Sequence, residues 1–260
     1  MPERTEYAPG TPSWVDLQTS DQAAAKAFYG SLFGWAYNDL PVDDNGNTYS
    51  MAQLKGRDVG AISGLGDQAA AGVPPHWNSY VTVSDVDATA SRVPGAGGTV
   101  LAPPFDVMDA GRMAVIQDPT GAIVNIWQPK NHPGAGIVNE HGAFSWSELI
   151  SPDVPKAAEF YKKIFGWTAN TMGEGASQYT EFKLDGKSIA GGMAPPMPGI
   201  PPLWGIYFSV DDCDAIVEKV KSLGGAVMNG PMDIEPGRFA VLADPQGAMF
   251  NVIKWSGPTE

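Results

Sequence analysis

The sequence predicts an α+β fold of four βαβββ modules in two lobes, and three observations carry that reading. The chain repeats itself. Each repeat places helix-capping residues at the same points. Short apolar–polar alternations, bounded by Gly, Pro and Asp, surround those helices. "WVDLQTSDQAAAKAFYGSLFGW" from Trp14 is answered by "WSELISPDVPKAAEFYKKIFGW" from Trp146, a shift of 146 − 14 = 132. "PPHWNSYVTVSDVDA" from Pro74 is answered by "PPLWGIYFSVDDCDA" from Pro201, a shift of 201 − 74 = 127. "GRMAVIQDPTGA" from Gly111 is answered by "GRFAVLADPQGA" from Gly237, a shift of 237 − 111 = 126. Long matches in one order at a nearly constant offset mark a duplication. Residues 11–127 form one lobe and 143–255 the other. The Pro-, Gly- and Asn-rich segment "QPKNHPGAGIVNEHG" (128–142) reads as the linker.

Within a lobe the elements follow in order. A strand at Trp14 leads to a helix capped by Asp21, with Ala24, Phe28 and Leu32 on one face and Gly34 at its end. In the second copy Asp153 caps the equivalent helix and Pro155 sits in its first turn. "TYSMAQLKG" and "DVGAISGL" are short strand patterns. Another strand runs from Ser79 to Val83, and a short helix follows Asp85. Strands then lie around Val100, from Met113 to Ile116 and from Ala122 to Trp127. The Pro-rich connectors at 64–75 and 194–202 read as spacers rather than lids.

Apolar residues make up 43% of the chain and charged residues 17%, a globular composition. No apolar run approaches the roughly 20 residues of a membrane helix. "MPERTEYAPG" lacks the apolar centre of a secretory signal, so a cytoplasmic protein is expected. The lone Cys213 leaves no internal disulfide. The net charge of −13, without clustered Lys or Arg, argues against nucleic-acid or anionic-membrane partners. Acidity either serves solubility alone or favours a cationic ligand.

The strand–Asp–helix–"FY…FGW" blocks at Asp21/Phe28/Tyr29 and Asp153/Phe160/Tyr161, with the two "DPxG" turns at Asp118 and Asp244, carry a resemblance. The chain resembles the vicinal-oxygen-chelate superfamily of glyoxalase I, extradiol dioxygenases and bleomycin- and fosfomycin-resistance proteins. It looks most like the two-lobed actinobacterial members called glyoxalase-like or hydroxylase-like. The resemblance covers nearly the whole chain except termini and linker. It implies curved, cup-shaped mixed β-sheets flanked by helices, with metal ligands on the concave faces. It also implies where those ligands would stand: Trp14, Asn78 and Asn125 in the first lobe, Trp146, Gly205 and Asn251 in the second, with the mid-module Glu near Ala61 and Gly191. Trp and Gly side chains hold no cation, and neutral Asn is a poor substitute for a carboxylate. No metal and no cofactor are therefore expected. His76, His132 and His141 read as surface residues, two of them in the linker, with rimming a pocket the alternative for His76 at its strand entrance.

Strand alternation assigns the remaining lining. On the cup side stand Trp14, Asp16, Asn78, Tyr80, Asn125 and Trp127 in the first lobe, and Trp146, Glu148, Tyr207 and Asn251 in the second. Such a surface suits a flat aromatic or cationic organic ligand. Trp14 and Trp146 read equally as core. Arg112 and Arg238 are candidate partners for Asp16 and Glu148, or else members of structural salt bridges. The expected function is metal-independent binding of a small aromatic or cationic molecule, as in drug sequestration, antibiotic resistance or secondary-metabolite handling. The alternative is a glyoxalase-like lyase or another metal-free enzyme using Asp16 or Glu148 as acid/base. Whether the first module pairs with the second or with the fourth is left open.

Overall fold

The computed structural model describes residues 3–257. The first lobe runs β1 (Pro12–Thr19), α1 (Gln22–Phe33), β2 (Ala36–Pro41), β3 (Thr48–Leu54), β4 (Arg57–Gly64) and a single turn α2 (Asp67–Ala70). It continues with β5 (His76–Thr82), α3 (Val86–Arg92), β6 (Thr99–Val107), β7 (Gly111–Gln117) and β8 (Ile123–Pro129). The second lobe runs β9 (Phe144–Ile150), α4 (Val154–Phe165), β10 (Thr168–Met172), β11 (Tyr179–Leu184), β12 (Lys187–Met193) and β13 (Leu203–Ser209). It closes with α5 (Cys213–Ser222), β14 (Ala226–Ile234), β15 (Gly237–Ala243) and β16 (Met249–Trp255). Each lobe is one eight-stranded mixed sheet, ordered β2-β3-β4-β1-β5-β8-β7-β6 and β10-β11-β12-β9-β13-β16-β15-β14. The first module therefore pairs with the second: β1 runs antiparallel to β5, with Asp16 opposite Asn78. In the other lobe β9 meets β13, with Glu148 opposite Gly205.

The helices begin and end where the sequence places their caps. The Asp21 carboxylate accepts from the Ala24 N–H, and Gly34 closes α1 at φ 76°. Asp153 accepts from the Lys156 N–H, and Gly166 closes α4 at φ 77°. A left-handed C-terminal residue favours glycine because a Cβ there meets the backbone.

The aliphatic sides of the strands, including Val15, Leu17, Val124 and Ile126, are fully buried beneath helices. Those helices come partly from the other lobe. On α1, Phe28 and Phe33 pack against Phe250 and Phe208, with ring centroids 6.3 and 5.2 Å apart. Phe160 and Tyr161 of α4 join the core built on Val81, Ile116 and Ile126 of the first sheet.

Three of the repeated motifs meet at this seam. Trp77 Nε1 donates to Tyr29 Oη at 3.1 Å, and Tyr29 Oη donates to Asp244 Oδ2 at 3.1 Å. Trp204 Nε1 donates to Tyr161 Oη at 2.9 Å, and Tyr161 Oη to Asp118 Oδ2 at 2.9 Å. The other oxygen of Asp118 accepts the N–H groups of Thr120, Gly121 and Ala122. The "DPxG" turn of one lobe is thus latched by the "FY" helix of the other, twice.

Candidate functional site

The concave face of the first sheet gathers side chains from four strands around one carboxyl group. Asp16 is buried at 3% exposure. Its Oδ1 accepts from Asn78 Nδ2 at 2.8 Å, and its Oδ2 from Tyr80 Oη at 2.7 Å and Tyr49 Oη at 2.9 Å. Trp14 Nε1 donates to Tyr49 Oη at 2.9 Å, and Asn125 bonds the Tyr80 hydroxyl. Burial raises the Asp16 carboxyl above the ordinary carboxylate range, against the opposing pull of the Asn78, Tyr80 and Tyr49 hydrogen bonds. Burial and the neighbouring carboxylate push both phenols well up.

The second cup repeats the cluster with exchanged lengths. Tyr207 Oη donates to Glu148 Oε2 at 2.7 Å, and Tyr179 bonds the same carboxyl. Trp146 Nε1 donates to Tyr179 Oη at 3.2 Å. Burial raises the Glu148 carboxyl, offset by the two tyrosine hydrogen bonds. Asn251 Nδ2 donates to the Ile206 carbonyl at 3.2 Å and does not reach the carboxyl cluster. Glu is one methylene longer than Asp, and Gly205 stands where Asn78 stands in the first lobe, so the longer acid replaces the shorter acid plus amide. Trp14 is buried in the core, whereas Trp146 is half-buried.

Of the two roles open to Arg112 and Arg238, the structure shows the salt bridge. Arg112 lies on the helix side, bonded to Asp87 at 2.7 Å and Asp106 at 3.3 Å, and Arg238 is bonded to Asp214 and Asp233. Neither reaches Asp16 or Glu148, because position 112 alternates with the cup-facing Met113. His132 is not a surface residue. Backbone bonds from Lys130 and His132 to the Ala110 carbonyl tie the linker to the β6–β7 turn. The imidazole then stands edge-on to Trp14 at 4.4 Å and to Trp127 at 6.0 Å. Trp127 Nε1 donates to the His132 carbonyl at 2.9 Å, and the ring Nε2 is buried without a hydrogen-bond partner. Burial lowers the His132 imidazole below its ordinary value. Linker composition hid this, because it says nothing about where a loop returns. His76 lies two residues before Asn78 on the same face, its Nδ1 2.8 Å from the Pro74 carbonyl oxygen. The sequence reading also missed Tyr49 and Tyr179, which a further repeat, "TYS" against "QYT" at 179 − 49 = 130, would have exposed.

The chelate positions of the fold converge in each cup, but their donors do not suit a metal. Trp14 and Trp146 present indole N–H groups, Ala61 and Gly191 carry no donor, and the Asn78 amide is spent on Asp16. At Gly191 a Cβ would overlap the Tyr179 hydroxyl, so a carboxylate has no place there. Among the described residues no group of three or more His, Cys, Asp or Glu side chains is arranged to hold a metal ion.

A family model described as "Glyoxalase/Bleomycin resistance protein/Dioxygenase superfamily" matches residues 11–126 and 143–252. CFP32 of Mycobacterium tuberculosis (strain CDC 1551 / Oshkosh), whose name classes it provisionally as a glyoxylase, is 51% identical over 98% of both chains. The anthracycline biosynthesis protein DauV of Streptomyces sp. (strain C5) is 35% identical, covering 96% of this chain and 95% of its own. Among solved structures, the Mn(II)-bound glyoxalase from Novosphingobium aromaticivorans superimposes with a TM-score of 0.66 at 16% identity, over 95% of this chain and 82% of that one. The 2,3-dioxygenase LapB from Pseudomonas sp. KL28 gives 0.65 at 14% identity, over 95% and 93%. The chain belongs to the glyoxalase/bleomycin resistance protein/dioxygenase superfamily.

Proposed function

We propose that this protein binds a small planar aromatic molecule without a metal, in the manner of a sequestration or secondary-metabolite-handling protein. One observation carries the reading: at the floor of each cup a closed Trp–Tyr–carboxyl–Tyr cluster occupies the place of a chelate. In the first cup that floor adjoins a cross-strand row of Phe105, Met113 and Trp127, with Ile123 on the same face. Phe105 is 44% exposed at the end of that row, an apolar surface on which a flat ring stacks, while Ile123 lies four residues along β8 from Trp127. Relatives named for anthracycline biosynthesis support a polycyclic aromatic ligand, and the net charge of −13 favours one carrying a cation.

Tryptophan fluorescence titration with a cationic anthracycline and with anthraquinone tests this. Saturable quenching is expected, weakened at least about thirtyfold by Trp127→Ala, the typical loss when a buried aromatic anchor is truncated. Elemental analysis of untagged protein should find no stoichiometric transition metal, and chelator should leave binding unchanged. A metal at one equivalent per chain, with binding lost to chelator, would overturn the metal-free reading; absence of any saturable ligand would overturn the binding reading.

A second reading is favoured by the raised carboxyl groups of Asp16 and Glu148. A buried acid raised above the ordinary carboxylate range and bonded to two phenols is placed to give or take a proton, which would make the protein a metal-free enzyme of the superfamily. Chemical change of the bound aromatic, lost in Asp16→Asn or Glu148→Gln, separates this reading from sequestration.

A further inference from the structure

The two lobes also differ at a place neither cup includes. On the helix side of the first sheet, where α1 begins, the Gln22 carboxamide is built into a niche. Its Nε2 donates to the Thr48 carbonyl at 2.9 Å, Ser50 Oγ at 3.0 Å and the Ile62 carbonyl at 2.9 Å. Its Oε1 faces the Thr48 hydroxyl at 3.5 Å. The second lobe repeats this niche with its occupant removed. The shift of 132 puts Val154 at the place of Gln22, and the shift of 130 puts Gln178, Thr180 and Gly192 at the places of Thr48, Ser50 and Ile62. Strand register confirms the equivalence: Ser50 pairs with Ile62 as Thr180 pairs with Gly192, and Leu17 with Ile62 as Leu149 with Gly192. A recess of about 90 Å³ lies there, bounded by those residues with Ser151 and Met193.

We propose that this recess is a binding site for the primary carboxamide group of a small molecule. The backbone places the Gln178 carbonyl, the Thr180 hydroxyl and the Gly192 carbonyl as their counterparts are placed around the Gln22 amide. Valine supplies no donor to them. The residues lining the recess carry no charge, so an ammonium ion would be buried without a counter-charge, and a carboxylate would set its charge against the Gln178 and Gly192 carbonyl oxygens. A neutral group with two N–H donors meets both conditions. The Phe182 ring and Val154 Cγ1 lie 3.0 and 3.3 Å from where a Cβ on Gly192 would stand, which closes that side of the recess, so the rest of the ligand extends outward. The site lies on the opposite side of the sheet from the cup and stands independently of the cup's ligand.

Titration of ¹⁵N-labelled full-length protein with acetamide tests it, with acetone as the control of matching shape that lacks N–H donors. Acetamide should shift the Thr180 and Gly192 amide resonances saturably, with a dissociation constant on the order of 1–10 mM for so small a ligand. Acetone should bind at least tenfold more weakly. Val154→Gln should abolish the effect by restoring the internal amide. Gln22→Ala should create a second set of shifts around Ser50 and Ile62. Equal binding of acetone, acetamide binding undiminished in Val154→Gln, or no saturable shift at Thr180 and Gly192 would each overturn the proposal.

Discussion

At the scale of single residues, the two cup floors solve one problem with different side chains. A carboxyl group on a concave sheet face must be neutralised or hydrogen-bonded. Asp16 is too short to fill its site and shares it with Asn78; Glu148 fills its own opposite Gly205. Burial raises Asp16, so ionising it costs more in the folded chain than in the unfolded one, where Asp titrates near about 3.9. Its contribution to stability is whole below that value and is lost as pH rises through the folded value. Asparagine cannot ionise. The melting temperature of Asp16→Asn, relative to the parent, should therefore improve between pH 4 and pH 8. A deficit that is the same at both pH values would show that the folded carboxyl titrates normally. The surface acids act oppositely: hydrogen bonds from Arg112 and Arg238 lower Asp87 and Asp214, whose contribution fades as pH falls.

At the scale of elements, the capping residues, helix ends and strand alternation were legible because each depends on neighbours within a few positions. Asp21 and Gly34 bound α1 by local chemistry alone. The cup assignments of Asp16, Tyr80 and Glu148 followed from a period of two. Contacts between elements were not legible. Arg112 and Asp87 are 25 positions apart and meet only because α3 lies on β7. His132 reaches Trp14 only because the linker folds back over the sheet. The seam is the same kind of feature: "FY" and "DPxG" could be read as a repeat but not as partners, since Tyr29 and Asp244 are 215 positions apart. Removing either hydroxyl leaves a buried aspartate oxygen short of a donor and an indole N–H without an acceptor. Tyr29→Phe and Tyr161→Phe should each cost about 1–3 kcal/mol. That corresponds to about 2–4 °C of melting temperature per kcal/mol for a chain of this size. Urea unfolding measures the cost directly, and a loss below about 0.5 kcal/mol in both variants would make the relays incidental.

At the scale of the whole molecule, duplication has not produced two independent domains. The core that contains α1 also contains Phe208, Phe250 and Val252 of the second sheet, and the core that contains α4 also contains Ile116, Val124 and Ile126 of the first. Each lobe's leading helix thus completes a hydrophobic layer in its partner, and Ser79 and Ser147 approach to 3.2 Å where the sheets meet. A lobe cut free would expose the aromatic face of its own helix and uncover part of its own sheet. The protein should therefore unfold in one cooperative transition, with calorimetric and van't Hoff enthalpies equal. Tyr29→Phe combined with Tyr161→Phe should lower that transition by nearly the sum of the single effects, because the two relays share no residue. If the halves were autonomous, calorimetry would resolve two transitions. Two resolved transitions in the parent protein would refute the shared core as the unit of stability. A single transition that splits only in the double variant would identify the Trp–Tyr–Asp relays as what couples the lobes.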